Sequence, residues 1–389
     1  MTKCRQYQLG PDVVRCPNFR VGEERRVLVV HVALLIACAM AIYLSCEWFV
    51  NAVEWLGLRL NIGAMAVGTI LAAFGTALPE SVVTLVAVTT GPTAEIRNIG
   101  VGAAMGGPLV LATVAYGVTG AMLLLRRRSQ TRIHCRELVS AGIGAATLDP
   151  PIRERGDDGG AILSDRAYTG RLVKDQRWFL AVFAVKVALG VVAFAIKPWL
   201  GLLFFAAYGV YFWREIRGGT SGDHDDLELA PLKLQPRSAR PATTLVLVQT
   251  LGALAVIFVA SQIFVHQLDA IGPMLGLSGA VTALLLSPIA TELPEIMNAI
   301  IWVRQGKIQL ALANISGAMM IQATVPSGLG LLFTDWRLDH ALLWSGAVTM
   351  AAITYLLATM RANKLTPKRL AMAALLYLIF AAGLIPILI

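Results

Sequence analysis

Charge is scarce in this sequence. Only 15% of its 389 residues are Asp, Glu, Lys or Arg, 57% are hydrophobic, and the mean hydropathy is +0.68. Such a composition excludes an ordinary soluble domain and leaves an integral membrane protein. Cysteine is thin as well. Cys4, Cys16, Cys38, Cys46 and Cys135 form no C-x-x-C pair and have no His at metal-ligand spacing, so they read as individual thiols. The strand alternation of a membrane barrel is missing. No Lys-Ser/Thr follows the glycine-rich run at 102–107, which removes a phosphate-cradling loop. The net charge of +9 is not interleaved with aromatics on a soluble fold, so nucleic acid is not an expected partner.

What is present is a series of apolar runs near the roughly 20 residues a helix needs to cross a bilayer. The spacing predicts ten spans, near 27–50, 62–90, 99–125, 178–196, 198–213, 242–266, 277–303, 308–333, 340–360 and 369–388. The domain plan is a polar basic tail (1–26), a first transmembrane half (27–213) with a cytoplasmic linker at 126–177, a central cytoplasmic loop (214–241) and a second half (242–389). Ala37-Cys38-Ala39 imitates a signal-peptidase site, but the apolar run continues past it, so a retained first helix is expected. With the amino terminus outside, the inward linkers hold 23 of 33 Lys and Arg, which satisfies the positive-inside rule. Both long linkers read as solvated loops: the first opens with Arg126-Arg127-Arg128, suited to anionic lipid, and the second carries Asp223-His224-Asp225-Asp226.

An internal repeat organises the spans. LAAFGTALPESVV (71–83) is echoed by LSPIATELPEIMN (286–298), at an offset that also pairs FVNAVEWLG (49–57) with FVHQLDAIG (264–272), and therefore Glu54 with Asp269. Downstream, AAMGGPLVLATV (103–114) matches NISGAMMIQATV (314–325). Ten spans shared by two copies gives five each, an odd number, so the second copy enters the membrane from the opposite side. The fold class is thus all-α, about ten transmembrane helices in two inverted five-helix repeats, a plan of secondary transporters whose substrate site lies at mid-membrane between the repeats.

The repeated stretch places a helix breaker beside a carboxylate. In a helix interior Pro79 has no N–H for the Gly75 carbonyl, and Pro294 none for that of Ala290. Carbonyls freed in this way are tolerated only against protein or a wet cavity, where they become hard ligands for a cation. Thr76 and Glu80 are four residues apart, as are Thr291 and Glu295, so each pair shares a helix face. Two such faces offer carboxylates, hydroxyls and carbonyls, a set that suits Ca²⁺ with its roughly 6–8 oxygens. A kink with a quietly paired Glu would be the structural alternative. A charge at mid-membrane costs on the order of 2.5–3.5 kcal/mol, which favours function.

Glu292, where the first repeat has Ala77, adds a third carboxylate. Three cannot all ionise easily without a cation, which motivates proton coupling through Glu292, with a local hydrogen bond to a neighbouring helix as the alternative. Asn314 and Gln322 are span amides that need partners and can bind cations. Gly102, Gly106, Gly107 and Gly317 read as close-packing positions. Glu54 and Asp269, near span ends, are expected in a solvated interfacial role.

These residues resemble the cation/calcium antiporter superfamily, whose best known members are sodium/calcium exchangers and whose inverted repeats carry a G-T-S-L-P-E helix followed by a G-N-V-I-G-S-N helix. The first elements here are Gly75-Thr76-Ala77-Leu78-Pro79-Glu80 and Ala290-Thr291-Glu292-Leu293-Pro294-Glu295. The second elements are Gly102-Ala103-Ala104-Met105-Gly106-Gly107-Pro108 and Ala313-Asn314-Ile315-Ser316-Gly317-Ala318-Met319. The resemblance implies Ca²⁺ binding by Glu80 and Glu295, with backbone oxygen from Thr76 and Thr291, and alternating access around a fixed site in a cell-membrane antiporter. The chain departs from the pattern at Ala77 and Glu292, at Gly107 and Ala318, and at Leu111 and Gln322. A divalent-cation site is therefore retained better than several Na⁺ sites, and either Na⁺ or H⁺ is the coupling ion. No resident cofactor is expected, since the ions are cargo, and the oligomeric state is left open. Two other classes were weighed: an intramembrane hydrolase using Glu80 and Glu295, which lacks a companion His, Ser nucleophile or G-x-G-D motif, and a relative that no longer transports.

Overall fold

In a computed structural model the described residues are 18–63, 66–90, 94–126, 166–192, 196–218, 229–238, 240–274 and 285–388; the side chains of Pro79, Glu80 and Asp269 lie outside this description. Among the described residues the secondary structure is helical throughout. In chain order the helices are α1 (Asn18–Arg59), α2 (Ala73–Thr90), α3 (Ala94–Val110), α4 (Arg166–Val191), α5 (Gly201–Gly218), α6 (Thr243–Met274), α7 (Ser287–Thr291), α8 (Leu293–Gln305), α9 (Ile308–Phe333), α10 (His340–Arg361) and α11 (Pro367–Leu388). A π-helical stretch, Val67–Ala72, runs directly into α2, and another, Leu111–Ala115, carries α3 on to residue 126. Six helices among the described residues are long and apolar enough to cross a membrane. Their outer faces carry the apolar side chains that a soluble protein would hide: Val29 is 61% exposed, Leu251 64% and Leu378 63%.

Helix α9 is the axis of the molecule, buried along nearly its whole length among α2, α3, α4, α5 and α8. Lipid is as apolar as Leu, so helices in a bilayer associate through close van der Waals fit and small residues. Two equivalent glycines show how the repeats interlock. A Cβ on Gly317 of α9 would overlap the backbone of Thr69 in the π stretch of the first repeat. One on Gly106 of α3 would meet the Pro288 ring of α7 in the second repeat at 2.7 Å. Each repeat's second element thus receives the other repeat's first element.

Three helices differ from the sequence reading. Helix α4 starts at Arg166, so residues 166–177, expected as linker, are helical; a helix satisfies its own backbone whatever its polarity, and here Asp175 and Gln176 are buried while Lys174 and Arg177 face outward. The α1 helix is longer at both ends than the apolar run that predicts it. The third difference concerns Pro294, expected inside a helix. The chain breaks at Glu292 (φ −84°, ψ 4°), and Pro294 sits in the first turn of α8, where its missing N–H has no intrahelical partner to lose. Pro79, in contrast, lies within the continuous α2 backbone.

A candidate cation site between the repeats

The helix break places Glu292 between α7 and α8 with its backbone still linked to both sides: its N–H donates to Pro288 O (3.2 Å) and its carbonyl accepts from Ile296 N (3.1 Å). The side chain is fully buried and accepts at Oε1 from Gln322 Nε2 of α9, at 2.6 Å. Glu295, one turn further along α8, is also fully buried. Its carbonyl receives the Asn314 amide of α9 at 3.5 Å, while Asn314 Oδ1, at 0% exposure, has no hydrogen-bond partner among the described residues. The Thr291 hydroxyl donates to Pro288 O (3.1 Å) and that of Thr76 to Ala72 O (3.1 Å). Each threonine is thereby tied to its own helix, with its oxygen lone pairs still open to a cation.

Of the residues singled out from the sequence, the structure brings Glu292, Glu295, Thr291, Asn314 and Gln322 together on α7, α8 and α9. Thr76 lies on α2, packed along α9. Glu80 and Pro79 are placed on α2 by their backbone only. Among the described residues no three His, Cys, Asp or Glu side chains group closely enough to hold a metal by themselves.

Gly107 belongs to this site as well as to the packing. A Cβ there would meet Glu292 Oε1 at 2.6 Å and would also overlap Gln322 Oε1. The departures at 107, 292 and 322 therefore meet at one point in the structure. The volume that a serine at 107 would fill is occupied by a carboxylate–amide pair.

Glu54 is not solvated as expected. It is 4% exposed, accepts from Trp302 Nε1 of α8 at 2.9 Å and pairs with Lys307 Nζ at 2.5 Å. A carboxylate at a helix end can be buried only when its charge is matched, and Lys307, in the turn between α8 and α9, matches it. Its repeat counterpart Asp269 has its side chain outside the described residues. Sequence reasoning also passed over Asn298, which ends the quoted stretch LSPIATELPEIMN, because the first repeat has Val83 at that place and the comparison of repeats hid it. Lys186 is fully buried in α4, with its ammonium on Ala104 O at 2.7 Å.

Comparison with known proteins agrees with this geometry. Residues 30–152 and 245–385, both repeats, match the family described as sodium/calcium exchanger protein. CaxA of Alkalimonas amylolytica, named as an antiporter, is 24% identical over 341 residues, covering 87% of this chain and 92% of its own. The inner membrane protein YrbG of Escherichia coli is 26% identical over 308 residues, covering 79% and 81%. Among solved structures, the sodium-calcium exchanger NCX_Mj soaked with Na⁺ and Sr²⁺ superposes with a TM-score of 0.64 at 17% identity, over 92% of this chain and 99% of that one. The same exchanger soaked without Na⁺ and Ca²⁺ gives 0.63 at 18%. Such low identity speaks for the fold, and the fold is the exchanger fold. With both repeats matched and the inverted helix plan in place, this multi-pass membrane protein belongs to the sodium/calcium exchanger family.

Proposed function

We propose that the protein is a secondary active antiporter that carries Ca²⁺, or a cation of similar hardness, across the membrane in exchange for Na⁺ or H⁺ by alternating access. The observation that carries this reading is the burial of Glu292 and Glu295 together with Asn314 and Gln322 where the two repeats meet. Ionisable residues inside a membrane are costly to keep and by default mark a substrate or ion pathway. The relatives named as an antiporter and as a sodium-calcium exchanger support the same class. In this reading Glu80 and Glu295 hold the divalent ion, with oxygens from Thr76, Thr291, Asn314 and Gln322. Glu292, hydrogen-bonded to Gln322 above Gly107, stands where the family pattern has a serine, which favours a proton over Na⁺ as its counter-ion.

The test is ⁴⁵Ca²⁺ uptake into proteoliposomes driven in turn by a Na⁺ gradient and by a pH gradient, with Glu80→Gln and Glu295→Gln as controls. Uptake driven by at least one gradient and abolished in both variants is expected. Uptake that survives both substitutions, or that no gradient drives for any cation tried, overturns the proposal. A response to Na⁺ but not to pH removes the role given to Glu292.

A further inference from the structure

Beneath the candidate site, toward the α8–α9 turn, helices α1 and α8 run side by side in parallel. The Cys46 thiol of α1 lies 3.8 Å from Pro294 O, and Glu54 accepts from Trp302 at 2.9 Å. Eight residues separate the two contacts on each helix, about 12 Å of rise, so the register holds for two turns. On α8, residues 294, 298 and 302 recur at intervals of four and share one stripe toward α1. Asn298 is the middle member. It is 0% exposed, and neither Oδ1 nor Nδ2 has a hydrogen-bond partner among the described residues. At the same level α1 presents Phe49, Val50 and Val53, all buried and apolar.

With no partner among the described residues, the buried amide carries the desolvation of both its groups without a compensating hydrogen bond. Packing alone does not account for it: a Leu would fill the same volume without that penalty. The position accounts for it. Asn298 lies one turn from Glu295 and one turn from Trp302, the partner of Glu54, between the mid-membrane carboxylates and the buried Glu54–Lys307 pair. We infer that Asn298 is a relay ligand for the transported cation, a subsite in the α1–α8 seam that coordinates the metal ion through Oδ1 as it passes between Glu295 and Glu54. This rests on the antiporter reading above. When α1 parts from α8, the amide oxygen replaces part of the ion's hydration shell, and Glu54 exchanges Lys307 and Trp302 for the arriving charge.

The test compares wild type with Asn298→Leu, Asn298→Ala and Asn298→Asp in the ⁴⁵Ca²⁺ proteoliposome assay, alongside thermal unfolding in detergent. Asn298→Leu is expected to melt higher than wild type, because an unmet amide is removed, yet to lose about tenfold or more in maximal rate, as befits a missing ligand to a charged species. The half-saturating Ca²⁺ concentration, set at the mid-membrane site, should stay within about twofold. Asn298→Asp should keep flux and tighten the half-saturating concentration, since a carboxylate retains the ion. Asn298→Ala gives the rate readout if Leu does not pack. Wild-type flux matched by the folded Leu or Ala variant overturns this inference alone; no flux in the wild type overturns the antiporter reading and this one with it.

Discussion

At the scale of single residues, the site is built from compensations between side chains. Gly107 has no side chain, and Glu292 has a long one, for the same reason: the carboxylate and the Gln322 amide fill the space beside α3. Gly107→Ser, which moves the residue toward the family pattern, should therefore destabilise by roughly 1–3 kcal/mol through overpacking. The double variant Gly107→Ser with Glu292→Ser removes the carboxylate from the collision and frees the Gln322 amide it holds to move aside, so thermal unfolding in detergent should show the pair to be less damaging than the sum of the singles. If the proton assignment is right, the same double variant shifts ⁴⁵Ca²⁺ uptake from the pH gradient toward the Na⁺ gradient. The Glu54–Lys307 pair makes a similar case. Its carboxylate side chain is 2% exposed and its ammonium 15%. Lys307→Met leaves a buried charge unmatched and should cost on the order of 3 kcal/mol, whereas adding Glu54→Gln restores most of that, a difference measurable by denaturant unfolding in a double-mutant cycle.

At the scale of elements, close approach between helices decides which glycines matter. Gly317 lies against backbone atoms of Thr69, which cannot turn aside, whereas a Cβ on Gly102 meets nothing within 4 Å. Gly317→Ala should lower the melting temperature by the equivalent of roughly 1–3 kcal/mol. Gly102→Ala should be neutral or stabilising by up to about 1 kcal/mol, through helix propensity. The apolar runs understate α1 and α4, and one misplaces the break before α8. Apolarity marks where a helix meets lipid and carries no information about its polar extension, so the α4 start at Arg166 was out of reach. The break at Glu292 was hidden for another reason. The two L-P-E motifs look alike in sequence, but Pro294 opens a helix and Pro79 lies inside one.

At the scale of the whole molecule, the loops expected on the inner side come together. Arg59 donates to Pro241 O (2.6 Å), Arg126 to Val303 O (3.1 Å), Arg171 to Gly218 O (3.1 Å) and Tyr168 to Gln309 O (3.3 Å), joining all but one of the inward linkers at one end. At the opposite end Lys197 donates to the carbonyls of Asp335 (3.0 Å) and Trp336 (2.9 Å). On the proposed function, the protein should be stabilised by its transported ion through mass action. Added Ca²⁺ at about 100 times its dissociation constant is expected to contribute about 2.7 kcal/mol, seen as a higher melting temperature in wild type and no change in Glu295→Gln. The sequence by itself determined the membrane class, the all-helical fold and the inverted repeat, because hydropathy and a duplicated motif are local or periodic signals. Only the tertiary structure decided that Glu292 pairs with Gln322 over Gly107, that Glu54 is buried against Lys307 and Trp302, and that Asn298 is buried with no hydrogen-bond partner among the described residues. Those are facts of packing between helices far apart in the chain, and no single span contains them.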